Sequence, residues 1–132
     1  MALALAAAED PHIDALVLDS PFTSPRELVH AGADRLPVLG PLAADWMLLL
    51  VSLQSRTNFF TASAEQAIAS MKPRPVFVVH GEGDIMMPAA HAERLYGAAS
   101  NPREIWFGPG THSNLITTAP DEYARRLFAF LD

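Results

Sequence analysis

The sequence contains no cysteine, which excludes a disulfide framework and a thiolate metal site. Lys72 is its only lysine and its formal net charge is −6, so it lacks the basic face that nucleic acids and anionic membranes require. Its longest dense apolar run, Trp46 to Val51, falls far short of the roughly 20 residues that a membrane-spanning helix needs. We therefore expect one domain with no nucleic-acid partner and no membrane span. Because no basic leader precedes the apolar start, we also expect a cytoplasmic location.

The stretch from Pro75 to Pro88 organises the rest of the chain. Its first part, residues 76–79, is a continuous β-branched and aromatic run, which is typical of a strand buried on both faces of a parallel sheet. Gly81 and Gly83 then permit a sharp turn, and Pro88 suits the first turn of a helix. Asp84 is thus expected on the turn after the strand, where open α/β sheets place their ligands and catalytic groups.

Two further strands are predicted, Ile13 to Leu18 and Glu104 to Phe107, separated from the central strand by helices. The predicted helices cover residues 1–9, 24–36, 42–53, 63–71, 88–99 and 120–131. Capping-box patterns begin two of them, Ser24 with Glu27 and Ser63 with Gln66. Strands alternating with helices predict an α/β fold: three parallel strands flanked by helices.

Asp84 and His112 form the candidate catalytic pair. His112 lies on the loop after the third predicted strand, and loops that follow parallel strands open at the same edge of a sheet. If the two strands are neighbours, the carboxylate can hold the imidazole in one tautomer while the imidazole acts as a general base. The alternative interpretation makes Asp84 a turn residue that hydrogen-bonds its own backbone, and His112 a surface histidine.

Three patches resemble the C-terminal half of an α/β-hydrolase, close to the serine aminopeptidases and their esterase-like relatives. HGEGDIMMP (residues 80–88) resembles the segment that carries the acid of the catalytic triad in that family. GPGTHSN (residues 108–114) resembles the loop that ends in the triad histidine. The opening 22 residues resemble the helix and strand that follow the nucleophile. By this resemblance Asp84 is the acid, His112 is the base, residues 1–132 form a partial hydrolase domain, and residues 24–71 form a helical, lid-like insertion.

The sequence departs from that family at the nucleophile. No Gly-x-Ser-x-Gly occurs in the 132 residues, and the donors of the oxyanion hole are expected outside them. One hypothesis is an ester- or amide-hydrolysing enzyme, without cofactor, whose serine comes from a preceding segment or a separate polypeptide. The other is a non-catalytic remnant that serves as a binding or interaction module. If the strand at Ile13 to Leu18 lacks its family neighbour, we expect its edge to pair with another copy or with an N-terminal half.

Other polar residues have competing interpretations. Asp19 is the rival acid, because some hydrolases place that residue after the earlier strand. Ser20 and Ser113 are interpreted as structural: Ser20 lacks a nucleophile elbow, and Ser113 is expected to hydrogen-bond locally. His80 and His91, with His112 and Asp84, invite a metal site, but their spacing matches no zinc pattern. No metal is therefore predicted.

Overall fold

A computed structural model describes residues 2–33 and 39–132 of the chain. Its elements within these ranges are, in chain order, α1 (Ala2–Glu9), β1 (Leu16–Asp19), α2 (Pro25–Ala33), α3 (Leu39–Ser55), α4 (Ala64–Ser70), β2 (Val76–Gly81), α5 (Ala89–Ala98), β3 (Arg103–Gly108), α6 (Leu115–Thr118) and α7 (Pro120–Leu131). The predicted order of strands and helices is confirmed, and the sequence reading missed only the one-turn helix α6.

The three strands form one parallel sheet in the order β1-β2-β3. The central strand β2 is buried along its whole length, as the apolar run predicted. In the register, Val79 of β2 lies beside Asp19 of β1 and Trp106 of β3. The C-terminal ends of all three strands therefore meet at one edge of the sheet, which gathers the loops that follow them.

Alternation along β2 divides the interior into two cores. Val76 and Val78 face the side covered by α1, α4 and α5, whereas Phe77 and Val79 face the side covered by α6 and α7. Phe77 also packs against Phe130 of α7, with ring centroids 5.3 Å apart. Full burial of a side chain such as Phe77 stabilises the fold by about 1.5–3 kcal/mol. The helices on both faces thus hold β2 rigidly at the centre.

The first strand begins later than its sequence predicted. The apolar pattern predicted Ile13 to Leu18, but the strand is Leu16–Asp19. Arg74, which is almost fully buried, donates from Nη1 to the carbonyl oxygen of Ile13 at 2.6 Å and to that of Asp10 at 3.0 Å. The backbone joins the parallel ladder at Leu16, whose N–H donates to the carbonyl of Pro75 at 2.9 Å.

The predicted starts of α2 and α4 agree with the structure, whereas the predicted bounds of α3 do not. The side chains of Ser24 and Ser63 each accept a backbone N–H three residues later, at 3.2 Å, so both serines cap as expected. The helix predicted for residues 24–36 is described only to Ala33, and its predicted stop at Pro37 lies outside the described residues. Helix α3 extends beyond the predicted range at both ends.

Helices α2 and α3 pack against each other, whereas α4 packs against α1 and α5. Buried residues of α4 belong to the main core, so this part of the 24–71 segment is built into the body of the domain. Large apolar side chains of α3 are exposed: Leu39, Leu42, Trp46, Met47, Leu49, Leu50, Val51 and Leu53. Across the described ranges, each helix is too short or too polar to cross a membrane.

Candidate active site

Asp84 and His112 lie in contact at the C-terminal edge of the sheet. Asp84 follows β2 and His112 follows β3, and these strands are neighbours. His112 Nδ1 is 2.8 Å from Asp84 Oδ2, within the range of a charge-assisted hydrogen bond. The Asp84 side chain is fully buried, and that of His112 is 32% exposed. The carboxylate therefore holds one ring nitrogen in the interior while the ring itself reaches the surface.

The second oxygen of Asp84 is held by the backbone of its own turn. Oδ1 accepts the N–H groups of Met86 and Met87, each at 2.9 Å. Burial raises the pKa of Asp84, but the hydrogen bonds from Met87, His112 and Met86 together outweigh it, so the net pKa is lowered. The carboxylate is therefore ionised at neutral pH. The sequence left open whether Asp84 bonds its own turn or contacts the histidine. In the structure it does both, because Oδ1 accepts from the turn and Oδ2 contacts His112.

Close backbone contacts join the two loops. Gly83 donates its N–H to the Gly110 carbonyl at 2.8 Å, and Glu82 donates to the Gly108 carbonyl at 2.9 Å. A Cβ at Gly81 would lie 2.6 Å from the Gly110 carbonyl oxygen and would also collide with that of Thr111. The position therefore requires glycine because no side chain fits. The sequence suggested a turn with positive φ instead, but Gly81 lies within β2 and no described glycine has a positive φ.

The histidine loop is fixed on both sides of His112. Thr111 donates its backbone N–H to Asn114 Oδ1 at 2.7 Å. Ser113 has a left-handed backbone, with φ of 49°, and donates its N–H to Ser20 Oγ at 2.9 Å. The sequence predicted a local hydrogen bond for Ser113, but its N–H bonds to a residue 93 positions away in the chain.

Asp19, the rival acid, lies in a different hydrogen-bond group. Its Oδ1 accepts the hydroxyl of Ser20 at 3.1 Å, and its Oδ2 lies 3.5 Å from the hydroxyl of Tyr123. Burial and the negative charge of Asp19 raise the pKa of Tyr123. His112 is thus paired with Asp84, whereas the side chain of Asp19 contacts Ser20 and Tyr123.

The two other histidines that the sequence singled out lie at different distances from the pair. His80 is buried at the end of β2 and packs edge-on against Phe107, and its Nε2 is 4.0 Å from Asp84 Oδ2. His91 lies instead against Thr23, with Nδ1 2.9 Å from the hydroxyl oxygen. Over residues 2–33 and 39–132, no cluster of three metal-ligating side chains occurs.

Solved structures with the same arrangement of elements identify the fold. An esterase from Pyrococcus furiosus is 21% identical and superposes with a TM-score of 0.66, over 97% of this chain and 49% of that one. The α/β hydrolase GrgF from Penicillium sp. sh18 is 18% identical, with a TM-score of 0.65, over 97% of this chain and 58% of that one. The chain has an α/β-hydrolase-like fold. No protein-family model matches it.

Curated relatives with similar sequences are longer than this chain. The uncharacterized protein YfhR of Escherichia coli K12 is 32% identical over 71 residues, which are 52% of this chain and 25% of that protein. YfhR of Salmonella typhi is 32% identical over 106 residues, 80% of this chain and 30% of that protein. The chain therefore spans between a quarter and a third of these relatives, and about half of the solved α/β-hydrolases it resembles.

Sequence reasoning missed the connection between Ser20 and Ser113. It interpreted Ser20 as a structural residue that lacks a nucleophile elbow, yet φ of Ser20 is 46°, in the left-handed region that non-glycine residues rarely adopt. Ser20 is buried, and its hydroxyl both donates to Asp19 and accepts from Ser113. The sequence did carry one signal, a polar residue that stands between the end of a strand and a proline. The partner of that residue lies far away in the chain and leaves no local pattern.

Proposed function

We propose that this chain supplies the acid and the base of a serine-type α/β-hydrolase that cleaves ester or amide bonds. The observation that carries this proposal is the 2.8 Å contact between His112 Nδ1 and the buried carboxylate of Asp84. Asp84 accepts the Nδ1 proton, which directs the lone pair of Nε2 outward as a base. Nε2 then takes the proton of a serine hydroxyl as the serine attacks the carbonyl, and returns it to the leaving group.

The electrostatics of the pair suit this role. The lowered pKa of Asp84 keeps a negative charge beside the ring throughout the cycle, so it stabilises the imidazolium that forms when Nε2 accepts a proton. The backbone N–H groups of Met86 and Met87 fix the carboxylate, so the pair is oriented before substrate arrives. In this proposal the chemistry uses no cofactor and no metal.

The nucleophile is the part of the proposal that the 132 residues do not supply. They contain no Gly-x-Ser-x-Gly, and the longer α/β-hydrolases that the chain resembles include a region that it does not span. We propose that the serine and the oxyanion-hole donors come from such a region, in the same polypeptide or in a partner. The missing Gly-x-Ser-x-Gly also favours the second candidate, a non-catalytic binding module.

The proposed partners follow from the same fold. The substrate is a small ester or amide, and α2 with α3 form the lid-like part of the 24–71 segment above it. The outer edge of β1 is the proposed site of pairing, either with an N-terminal half or with a second copy, because within the described residues β1 pairs with no strand other than β2. We also propose that the protein is located in the cytoplasm.

The test measures ester hydrolysis by a polypeptide that joins the chain to the sequence encoded upstream of Met1. We expect Asp84→Asn to lower kcat by roughly 10⁴-fold, and His112→Gln by at least as much. The matched controls are Asp10→Asn and His12→Gln, which alter an exposed Asp–His pair with a 3.0 Å contact. Hydrolysis that survives in His112→Gln at the level of His12→Gln would refute the proposed chemistry. The lack of an upstream Gly-x-Ser-x-Gly, with no activity, would favour the binding module.

A further inference from the structure

Ser20 connects the end of β1 directly to the loop of His112. β1 and β3 are not neighbours, because β2 lies between them. The hydrogen bond from Ser113 N–H to Ser20 Oγ, at 2.9 Å, nevertheless spans that gap. We propose that Ser20 is a positioning residue for His112, an inference that rests on the hydrolase function proposed above.

The backbone geometry at both ends of this hydrogen bond is unusual. Ser20 and Ser113 have φ values of 46° and 49°, and only Arg56 shares this conformation among the non-glycine residues described. A non-glycine residue in the left-handed region is strained and persists only where the surroundings enforce it. Strained backbone at both Ser20 and Ser113 thus brings the Ser20 hydroxyl within hydrogen-bond distance of the Ser113 N–H.

The surroundings of Ser20 fix its hydroxyl in this role. Its own N–H continues the parallel ladder to the carbonyl of Val79 at 2.9 Å, so its backbone is part of the sheet. Its hydroxyl proton goes to Asp19 Oδ1, which leaves the oxygen lone pairs for Ser113. Because this hydroxyl is buried and engaged as donor and acceptor, it acts as a support for the loop and not as an attacking group.

His112 is consequently held by its two neighbours in sequence. Thr111 is fixed on one side by Asn114, and Ser113 is fixed on the other by Ser20. The Thr111 contact is local to the loop, whereas the Ser20 contact ties the loop to the rigid sheet. Loss of the Ser20 oxygen should therefore let the loop move relative to Asp84, while the sheet and Asp84 stay in place.

The experiment follows the Nδ1 proton of His112 by NMR in the 132-residue chain labelled with ¹⁵N-histidine, with His112→Gln used for assignment. Ser20→Gly removes the oxygen and adopts the positive φ readily, so the turn can keep its conformation while the hydrogen bond to Ser113 is lost. We expect solvent exchange of the Nδ1 proton to become about tenfold faster, the effect of losing one hydrogen bond. The matched control is Ser63→Gly, which removes another serine oxygen that accepts a backbone N–H, at the start of α4.

Exchange in Ser20→Gly within twofold of the wild-type rate would overturn the proposal, as would an equal acceleration in Ser63→Gly. An unprotected His112 proton in the wild-type chain would also overturn it. If Ser20→Gly does not fold, the nearly isosteric Ser20→Cys is tested instead. Because sulfur is a weak hydrogen-bond acceptor, we expect solvent exchange of the Nδ1 proton to become severalfold faster. An unchanged exchange rate would refute the positioning role of Ser20. Failure of the proposed hydrolase function would instead appear as unaffected ester hydrolysis in His112→Gln, a separate measurement.

Discussion

Gly81 lies so close to Gly110 that the loops after β2 and β3 touch through their backbones. A Cβ at residue 81 would approach the Gly110 carbonyl oxygen to 2.6 Å, and no flexible side chain is available to move away. This contact sets the distance between the two loops that carry Asp84 and His112.

Gly81→Ala should therefore destabilise the fold. We expect a loss of about 1–3 kcal/mol in the free energy of unfolding, the usual cost of overpacking a filled site, measured by urea denaturation. Gly97→Ala is the matched control, because nothing lies within 4 Å of its added Cβ and alanine favours the helix. Equal stability of the two variants would contradict the close approach of the loops.

The ionisation of Asp84 should make stability depend on pH in acid. Its pKa is lowered on folding from the ordinary 3.8, so its contribution is fully present above that value. This contribution is lost as pH falls through the lowered pKa of the folded state. In acid titrations of the free energy of unfolding, wild type should lose more stability below pH 3.8 than Asp84→Asn. Parallel curves for the two proteins would show that the Asp84 pKa is not lowered.

The outer edge of β1, which pairs with no strand among the described residues, should mediate self-association. Leu16 and Ser20 donate their N–H groups to β2, so by alternation the N–H of Val17 points to the outer edge. Val17→Pro removes that donor without breaking the ladder to β2. We expect sedimentation velocity to show concentration-dependent association of the wild-type chain and less of it for Val17→Pro. A monodisperse wild-type monomer would contradict this, as would association that responds only to Trp46→Glu in the exposed face of α3.

Fluorophosphonate should leave the 132-residue chain unlabelled. The chain has no Gly-x-Ser-x-Gly, and the hydroxyl of the strained Ser20 is buried and hydrogen-bonded in both directions. Mass spectrometry after incubation with the probe checks this. Stoichiometric modification of Ser20, or of Ser113 on the loop of His112, would mean that the chain carries its own nucleophile.

Local patterns predicted the parts of the structure that depend on local chemistry. The apolar run of β2, the serine caps of α2 and α4, and the proline start of α7 each have a cause within a few residues, and each prediction was confirmed. Because parallel strands share an edge, the predicted topology also placed Asp84 and His112 at the same edge of the sheet.

Features that depend on distant partners were not predictable in the same way. Arg74 binds carbonyl groups of the segment before β1, more than 60 positions away, and no local signal marks that contact. Ser20 likewise has an ordinary sequence context, and its left-handed backbone and its bond to Ser113 exist only once the sheet has assembled. The exposure of the large apolar side chains of α3 was not predicted either, because hydrophobicity alone does not reveal which surface a helix meets.

The tautomer of His112 tests the central claim most directly. ¹⁵N NMR of the neutral imidazole should show the proton on Nδ1, because the buried Asp84 carboxylate accepts it there. Asp84→Asn should shift the proton towards Nε2, the wrong tautomer for a base. A wild-type His112 that carries its proton mainly on Nε2, unchanged by Asp84→Asn, would contradict the account.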